Sequence, residues 1–251
     1  MKNLILISSA IVLLLFSCSK DKSMSSDTGN SSTGEGGSMA AMTIMGDYMY
    51  RIAGGNAIEV YNISADSSAE LATILNPGSG LETLFPYGKY LLVGTTSGML
   101  IYDVTNGANP GYVSRYDHVV SCDPVVAQGN YAYVTLRDGT RCNRAANQLE
   151  VVDLSDITNP QRLTTIPMQQ PHGLDADGDN LVVGEGSYGF KWFDIKDPVN
   201  PKQLKFENRV PCFDVISQGD HFIVVGSNGL YQYKYGTGTL EQLSVIPVSA
   251  N

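Results

Sequence analysis

Glu82, Asp123 and His172 each stand six residues before a glycine, at Gly88, Gly129 and Gly178, and Asp214 stands five before Gly219. Apolar residues spaced two apart follow each glycine, the pattern of a turn leading into a strand. The four side chains therefore hold near-equivalent places at the starts of successive sheet units. Equivalent positions on neighbouring innermost strands would face a common channel. Two carboxylates and an imidazole converging there, joined by Asp214, could ligate a divalent metal or orient a polar ligand. Arg137, Arg141 and Arg144, just downstream, would supply charge partners. A simpler role is open to the same residues: each caps its own strand or holds channel water, as buried polar groups need partners. The Pro171-His172-Gly173 text is also ordinary turn chemistry.

No catalytic signature stands elsewhere in the chain. It lacks Gly-x-Ser-x-Gly, a phosphate-binding loop, His-Glu-x-x-His and Cys-x-x-Cys. Asp175-Ala-Asp177-Gly178-Asp179 looks like a calcium loop but lacks the later Glu, and reads as a glycine turn. His118 and His221 are single residues in strand-like text, and Trp192 and most tyrosines fall on repeat positions expected in the core. No cofactor is expected. Two function classes follow: a binding scaffold for a protein or glycan partner, or a glycoside hydrolase-like enzyme whose two carboxylates lie about 5–9 Å apart at the channel.

The elements that must position these residues come from a repeat. Leu149-Glu-Val-Val-Asp153 has counterparts in Ile58–Asn62, Met99–Asp103, Phe190–Asp194 and Leu230–Lys234. Successive spacings of their last residues are 41, 50, 41 and 40, and a period of about 40 to 45 residues marks a propeller blade or another repeat array. Each unit divides into four short strands, beginning near Ala40, Leu81, Cys122, Pro171 and Cys212. Apolar pairs two apart, such as Tyr131/Tyr133, argue for strand, and no helical periodicity persists. The sequence predicts an all-β, five-bladed β-propeller of four-stranded antiparallel blades, with an open solenoid or two packed sheets as alternatives. Every blade takes its strands from contiguous sequence, so ring closure would rest on face-to-face packing.

Residues 1–17 read as an export signal: Lys2 precedes an apolar run of 13 residues, Leu4 to Phe16, too short to span a bilayer. Leu15-Phe-Ser-Cys18 resembles a bacterial lipobox, which implies a lipid on Cys18. Ser19-Lys-Asp-Lys22 looks like the tether of surface lipoproteins in Bacteroidetes-like bacteria. Residues 18–38 are then lipidated Cys and a flexible Ser/Gly-rich tether, and residues 39–251 the propeller. The expected location is the outer membrane, surface-exposed, with a periplasm-facing orientation left open. Formal charge is −9, and becomes −10 without residues 1–17, which hold one Lys and no acid. Such an acidic chain is a poor nucleic-acid ligand, so the expected partners are the membrane, through Cys18, and an extracellular or periplasmic protein or glycan.

Val151-Val-Asp-Leu-Ser-Asp156, with Asn159-Pro160 behind it, is similar to the LVIVD repeat, a propeller-forming repeat of secreted and lipid-anchored bacterial proteins. The resemblance runs from Met39 to about Val248; the first unit lacks the Asn-Pro turn and the last has Lys234 in place of Asp. It implies fold and compartment and brings no catalytic motif. With Cys18 lipidated, Cys122, Cys142 and Cys212 remain. Cys142 lies in the insertion of the third blade and Cys122 at that blade's start, on the same rim, so a Cys122–Cys142 disulfide is expected, with free buried thiols as the alternative.

Overall fold

The computed structural model describes residues 38–64, 68–117, 124–138 and 147–248. Cys18, His118, Cys122, Asp123, Arg141, Cys142 and Arg144 lie outside them. The described residues form five sheets of four antiparallel strands, with no helix. Blade 1 comprises β1 (Met42–Met45), β2 (Tyr48–Ala53), β3 (Ala57–Asn62) and β4 (Glu70–Leu75). Blade 2 comprises β5 (Leu81–Tyr87), β6 (Tyr90–Thr95), β7 (Gly98–Asp103) and β8 (Gly111–Asp117). Blade 3 follows with β9 (Val125–Gln128), β10 (Tyr131–Leu136), β11 (Gln148–Asp153) and β12 (Gln161–Pro167). Blade 4 has β13 (Leu174–Asp177), β14 (Asn180–Gly184), β15 (Phe190–Asp194) and β16 (Lys202–Glu207). Blade 5 has β17 (Asp214–Gln218), β18 (His221–Gly226), β19 (Gly229–Tyr235) and β20 (Leu240–Pro247). The innermost strands β1, β5, β9, β13 and β17 pack in that order, and the architecture is the five-bladed β-propeller that the repeat predicts.

Local chemistry explains each turn. Gly46, Gly88, Gly129, Gly178 and Gly219 join the first and second strands at φ between 55° and 67°, where a Cβ would be strained. The last residue of the third strand caps the turn after it: the Asp103, Asp153 and Asp194 carboxylates accept the N–H of Thr105, Ser155 and Lys196 at 2.8–2.9 Å. The Asn-Pro turn then presents a carbonyl to the preceding blade. Tyr50 donates to the Gly107 carbonyl at 3.1 Å, Ser114 to Ile157 at 2.5 Å and Thr164 to Val199 at 2.6 Å. The repeat's most legible text is therefore also a fastener between blades.

Glycine at the start of the third strand answers a different need. Gly189 has φ +111°, and an added Cβ would lie 1.9 Å from the Glu207 carbonyl oxygen on β16. Gly98 meets the Tyr116 carbonyl in the same way. We expect Gly189→Ala to destabilise the chain by at least roughly 2–3 kcal/mol, because neither the backbone angle nor the neighbouring carbonyl can yield. A denaturant midpoint indistinguishable from wild type would refute this.

Strand alternation gives each blade a leading face toward the next blade and a trailing face toward the previous one. Tyr50, Ile58 and Val60 of blade 1 lead onto Leu91, Val93 and Leu100 of blade 2. Leu92, Met99 and Ile101 then lead onto Ala132, Val134 and Val152 of blade 3. Tyr133, Leu149 and Val151 lead onto Leu181, Val183 and Phe193, and Val182, Phe190 and Trp192 onto Phe222, Val224 and Tyr233. These seams are apolar and hold several aromatic rings, and they supply the main apolar burial of the fold. The fifth seam differs from the expected closure. Among the described residues blades 5 and 1 share no such core, and β17 and β1 do not pack as the other inner strands do. A hydrogen bond from Ser38, just ahead of β1, to Asp214 at 3.3 Å spans the gap.

Candidate functional site

Where blades 4 and 5 begin, several buried or half-buried ionisable groups lie close together. His172 precedes β13 and is 8% exposed. Its backbone is pinned on both sides: its N–H donates to the Gly184 carbonyl at 2.8 Å, and its carbonyl accepts the Thr135 hydroxyl at 2.8 Å. The imidazole meets the edge of Phe213, centroids 5.1 Å apart, and Nδ1 lies 2.8 Å from the Gln170 carbonyl. A carbonyl only accepts, so Nδ1 carries the proton and Nε2 is the acceptor. Burial holds the ring's pKa below its usual value, with the Arg137 charge pushing the same way against the Gln170 hydrogen bond. The ring is neutral at pH 7.

Asp214 opens β17 beside it. Its Oδ1 accepts the Val215 N–H at 3.0 Å and the Ser38 hydroxyl, while Ser38 in turn accepts the Leu174 N–H at 2.8 Å. Burial pushes this carboxyl up to about 6. The carboxylate lies against the backbone of Gly173, where a Cβ would come within 2.0 Å of Oδ1. That contact is why glycine follows His172, and it brings His172 and Asp214 to one place on adjacent blades.

Two aspartates read from the sequence as mere turn residues tie β13 to blade 5 farther along the strand. Asp175 and Asp177 alternate along β13 and reach across to blade 5. Asp175 Oδ2 accepts the Ser217 N–H at 2.7 Å, and Asp177 Oδ2 accepts the Gly219 N–H at 2.5 Å. Burial raises Asp175 to about 7, helped by the charges of Asp214 and Asp177 and opposed by its two backbone hydrogen bonds. Their i, i+2 spacing is visible in sequence; the donor N–H groups, more than forty residues away, are not. Glu185, fully buried, was also missed. It accepts the N–H groups of Gln169 and Gln170 at 3.0 and 2.7 Å and pairs with Lys191 at 2.6 Å, fixing the loop that carries His172.

The remaining expected site residues are less concentrated. Glu82 is half-buried at the bulge that opens β5. Arg137 follows β10 and acts on His172 through its charge. Cys212 is a buried free thiol against the Asp214 carbonyl at 3.5 Å, its pKa raised by burial. Among the described residues no three His, Cys, Asp or Glu side chains are grouped to hold a metal. What the rim offers is a neutral imidazole acceptor beside carboxyls that are tied to backbone.

Comparisons with known proteins agree with this architecture. A model of the LVIVD repeat matches residues 85–118 and 121–164, which fall in blades 2 and 3. No curated protein matches the chain in sequence. Among solved structures, a Bacteroides fragilis protein provisionally described as a 6-phosphogluconolactonase superposes with TM-score 0.66 at 16% identity, over 82% of this chain and 69% of its own. A Lactobacillus plantarum protein gives 0.66 at 16%, over 79% and 67%. The periplasmic gluconolactonase of Pseudomonas aeruginosa gives 0.61 at 16%, over 81% and 69%. At such identities the likeness is one of fold. The chain carries LVIVD repeats, built as a five-bladed β-propeller.

Proposed function

We propose that the protein is an exported lipoprotein, held to the outer membrane through Cys18 and displayed on residues 18–38, whose propeller is a scaffold for a protein or glycan. One observation carries the choice of scaffold over enzyme: Asp175, Asp177, Asp214 and Glu185 each accept backbone N–H groups. Carboxylates occupied in this way hold blades together and are poorly placed to attack or protonate a substrate. A rim with a fixed acceptor nitrogen and neutral polar groups suits recognition.

A hydrolase is the second reading. It is favoured by the carboxyls of Asp175 and Asp214, raised to about 7 and about 6 on neighbouring inner strands, since perturbed carboxyls gather at catalytic sites. The gluconolactonase among the structural neighbours names a probe. Full-length protein is offered D-glucono-1,5-lactone and, separately, immobilised soluble polysaccharides and intact cells. We expect lactone opening at the buffer rate, with retention on a polysaccharide or the cell surface that survives Asp214→Asn. Turnover above buffer that Asp214→Asn abolishes would overturn the scaffold reading. Placement is checked by Cys18→Ser, which should move the protein from the membrane to the soluble fraction.

A further inference from the structure

Ser38, Met39 and Ala40 lead the chain into blade 1, and they lie where the inner strands of other blades begin. Ser38 is 1% exposed. Ala40 turns its carbonyl to the Leu84 N–H on β5 at 2.8 Å, while the Ser38 hydroxyl accepts the Leu174 N–H on β13 at 2.8 Å and donates to Asp214 Oδ1 on β17 at 3.3 Å. Leu84 and Leu174 hold the same place in the repeat, four residues before the glycine turns at Gly88 and Gly178. On an innermost strand these N–H groups point away from the second strand, toward the channel, where no further strand can accept them. Val215, four before Gly219, takes its acceptor from Asp214 at 3.0 Å. Residues 38–40 thus reach blades 2, 4 and 5, and Ala41 passes straight into blade 1, where its carbonyl accepts the Ile52 N–H at 2.9 Å.

We infer that residues 38–40 are a strap that closes the propeller ring in place of a fifth apolar seam. Four seams are held by apolar clusters that join the leading face of one blade to the trailing face of the next. Between blades 5 and 1 there is no such cluster among the described residues, and no strand is exchanged between the first blade and the last. The connection is made with polar bonds: blade 1 continues without a break into Ser38, and Ser38 is fixed to blades 4 and 5. Its hydroxyl is buried with both its donor and an acceptor lone pair in use, so the strap is held in one position. Removing that oxygen would leave the N–H of Leu174, itself fully buried, without its acceptor and would cut blade 1 from both partners at once.

The test is hydrogen exchange of the backbone amides in the full chain carrying Cys18→Ser, read strand by strand by mass spectrometry, with Ser38→Ala and, as a control, Thr164→Val. Thr164 also bonds another blade, donating to the Val199 carbonyl at 2.6 Å, but across a seam that holds an apolar core. Ser38→Ala should speed exchange roughly tenfold or more in β1, β2 and β18, strands that the Ser38 side chain does not bond, and leave β10 and β11 of blade 3 at the rate of the unsubstituted chain. Thr164→Val should open neither blade 3 nor blade 4. Exchange that rises only around Leu174 and Val215, that rises equally in all five blades, or that does not rise overturns the inference, because Ser38 would then be a local cap or one stabilising contact among many. An equal opening of blades 3 and 4 in Thr164→Val overturns it as well, since any bond between blades would then do as much.

Discussion

Glu185→Ala is expected to destabilise the propeller by roughly 3–5 kcal/mol, the largest effect of any single side-chain removal at the rim. The carboxylate is fully buried and receives two backbone N–H groups and the Lys191 ammonium. Its loss would leave Lys191, 12% exposed, with the Met168 sulfur and the Phe206 ring as its neighbours. Neither can balance a buried positive charge. It would also strip the acceptor from the Gln169–Gln170 turn, whose carbonyl sets the His172 tautomer. Removing both charges together, Glu185→Leu with Lys191→Met, should recover a good part of the loss, since a paired charge replaced by apolar volume is often neutral. Urea unfolding of wild type, single variant and double variant measures both effects. Equal losses in the single and double variants would mean that the ion pair is not what stabilises the loop.

Stability should fall as pH rises from about 4 to about 8, with Asp175 as the main cause. Its folded pKa of about 7 stands above the ordinary 3.8, and that of Asp214 is about 6. Each group with a raised folded pKa contributes stability that is complete below its unfolded pKa and is lost as pH climbs through the folded value. The window is therefore pH 4 to 7 for Asp175 and 4 to 6 for Asp214. A shift of this size in Asp175 corresponds to roughly 4 kcal/mol as an upper figure. Asp175→Asn removes the titration and keeps an oxygen for the Ser217 N–H, so the stability profile should flatten over that window whatever its absolute level. Urea midpoints at pH 4.5, 6 and 8 in wild type and variant decide the matter. A wild-type profile that rises with pH, or one that the variant leaves unchanged, would show that these carboxyls are solvated and ionised.

The division between what the sequence determines and what folding decides depends on the range of the interactions. Turn glycines such as Gly88 and Gly178, the Asx caps at Asp103, Asp153 and Asp194, and the two-residue alternation of strands such as β10 all act within a few residues. They are readable from the chain, and with the glycine turn and the alternation recurring in all five units they specify the blades. The position of His172 at a blade start was legible for the same reason. The chemistry of the rim was not, because Asp175 acquires its raised pKa from burial, with the charge of Asp214 some forty residues later adding to it, and Glu185 acquires its role from a loop and a lysine brought together by packing. Glu59 and Glu150 show the limit most plainly. They hold the same letter at the same repeat position, yet Glu150 is fully buried under Tyr116 of the preceding blade while Glu59 stands at an uncovered seam. Burial depends on what the neighbouring face supplies, and that is settled only when the blades are set side by side.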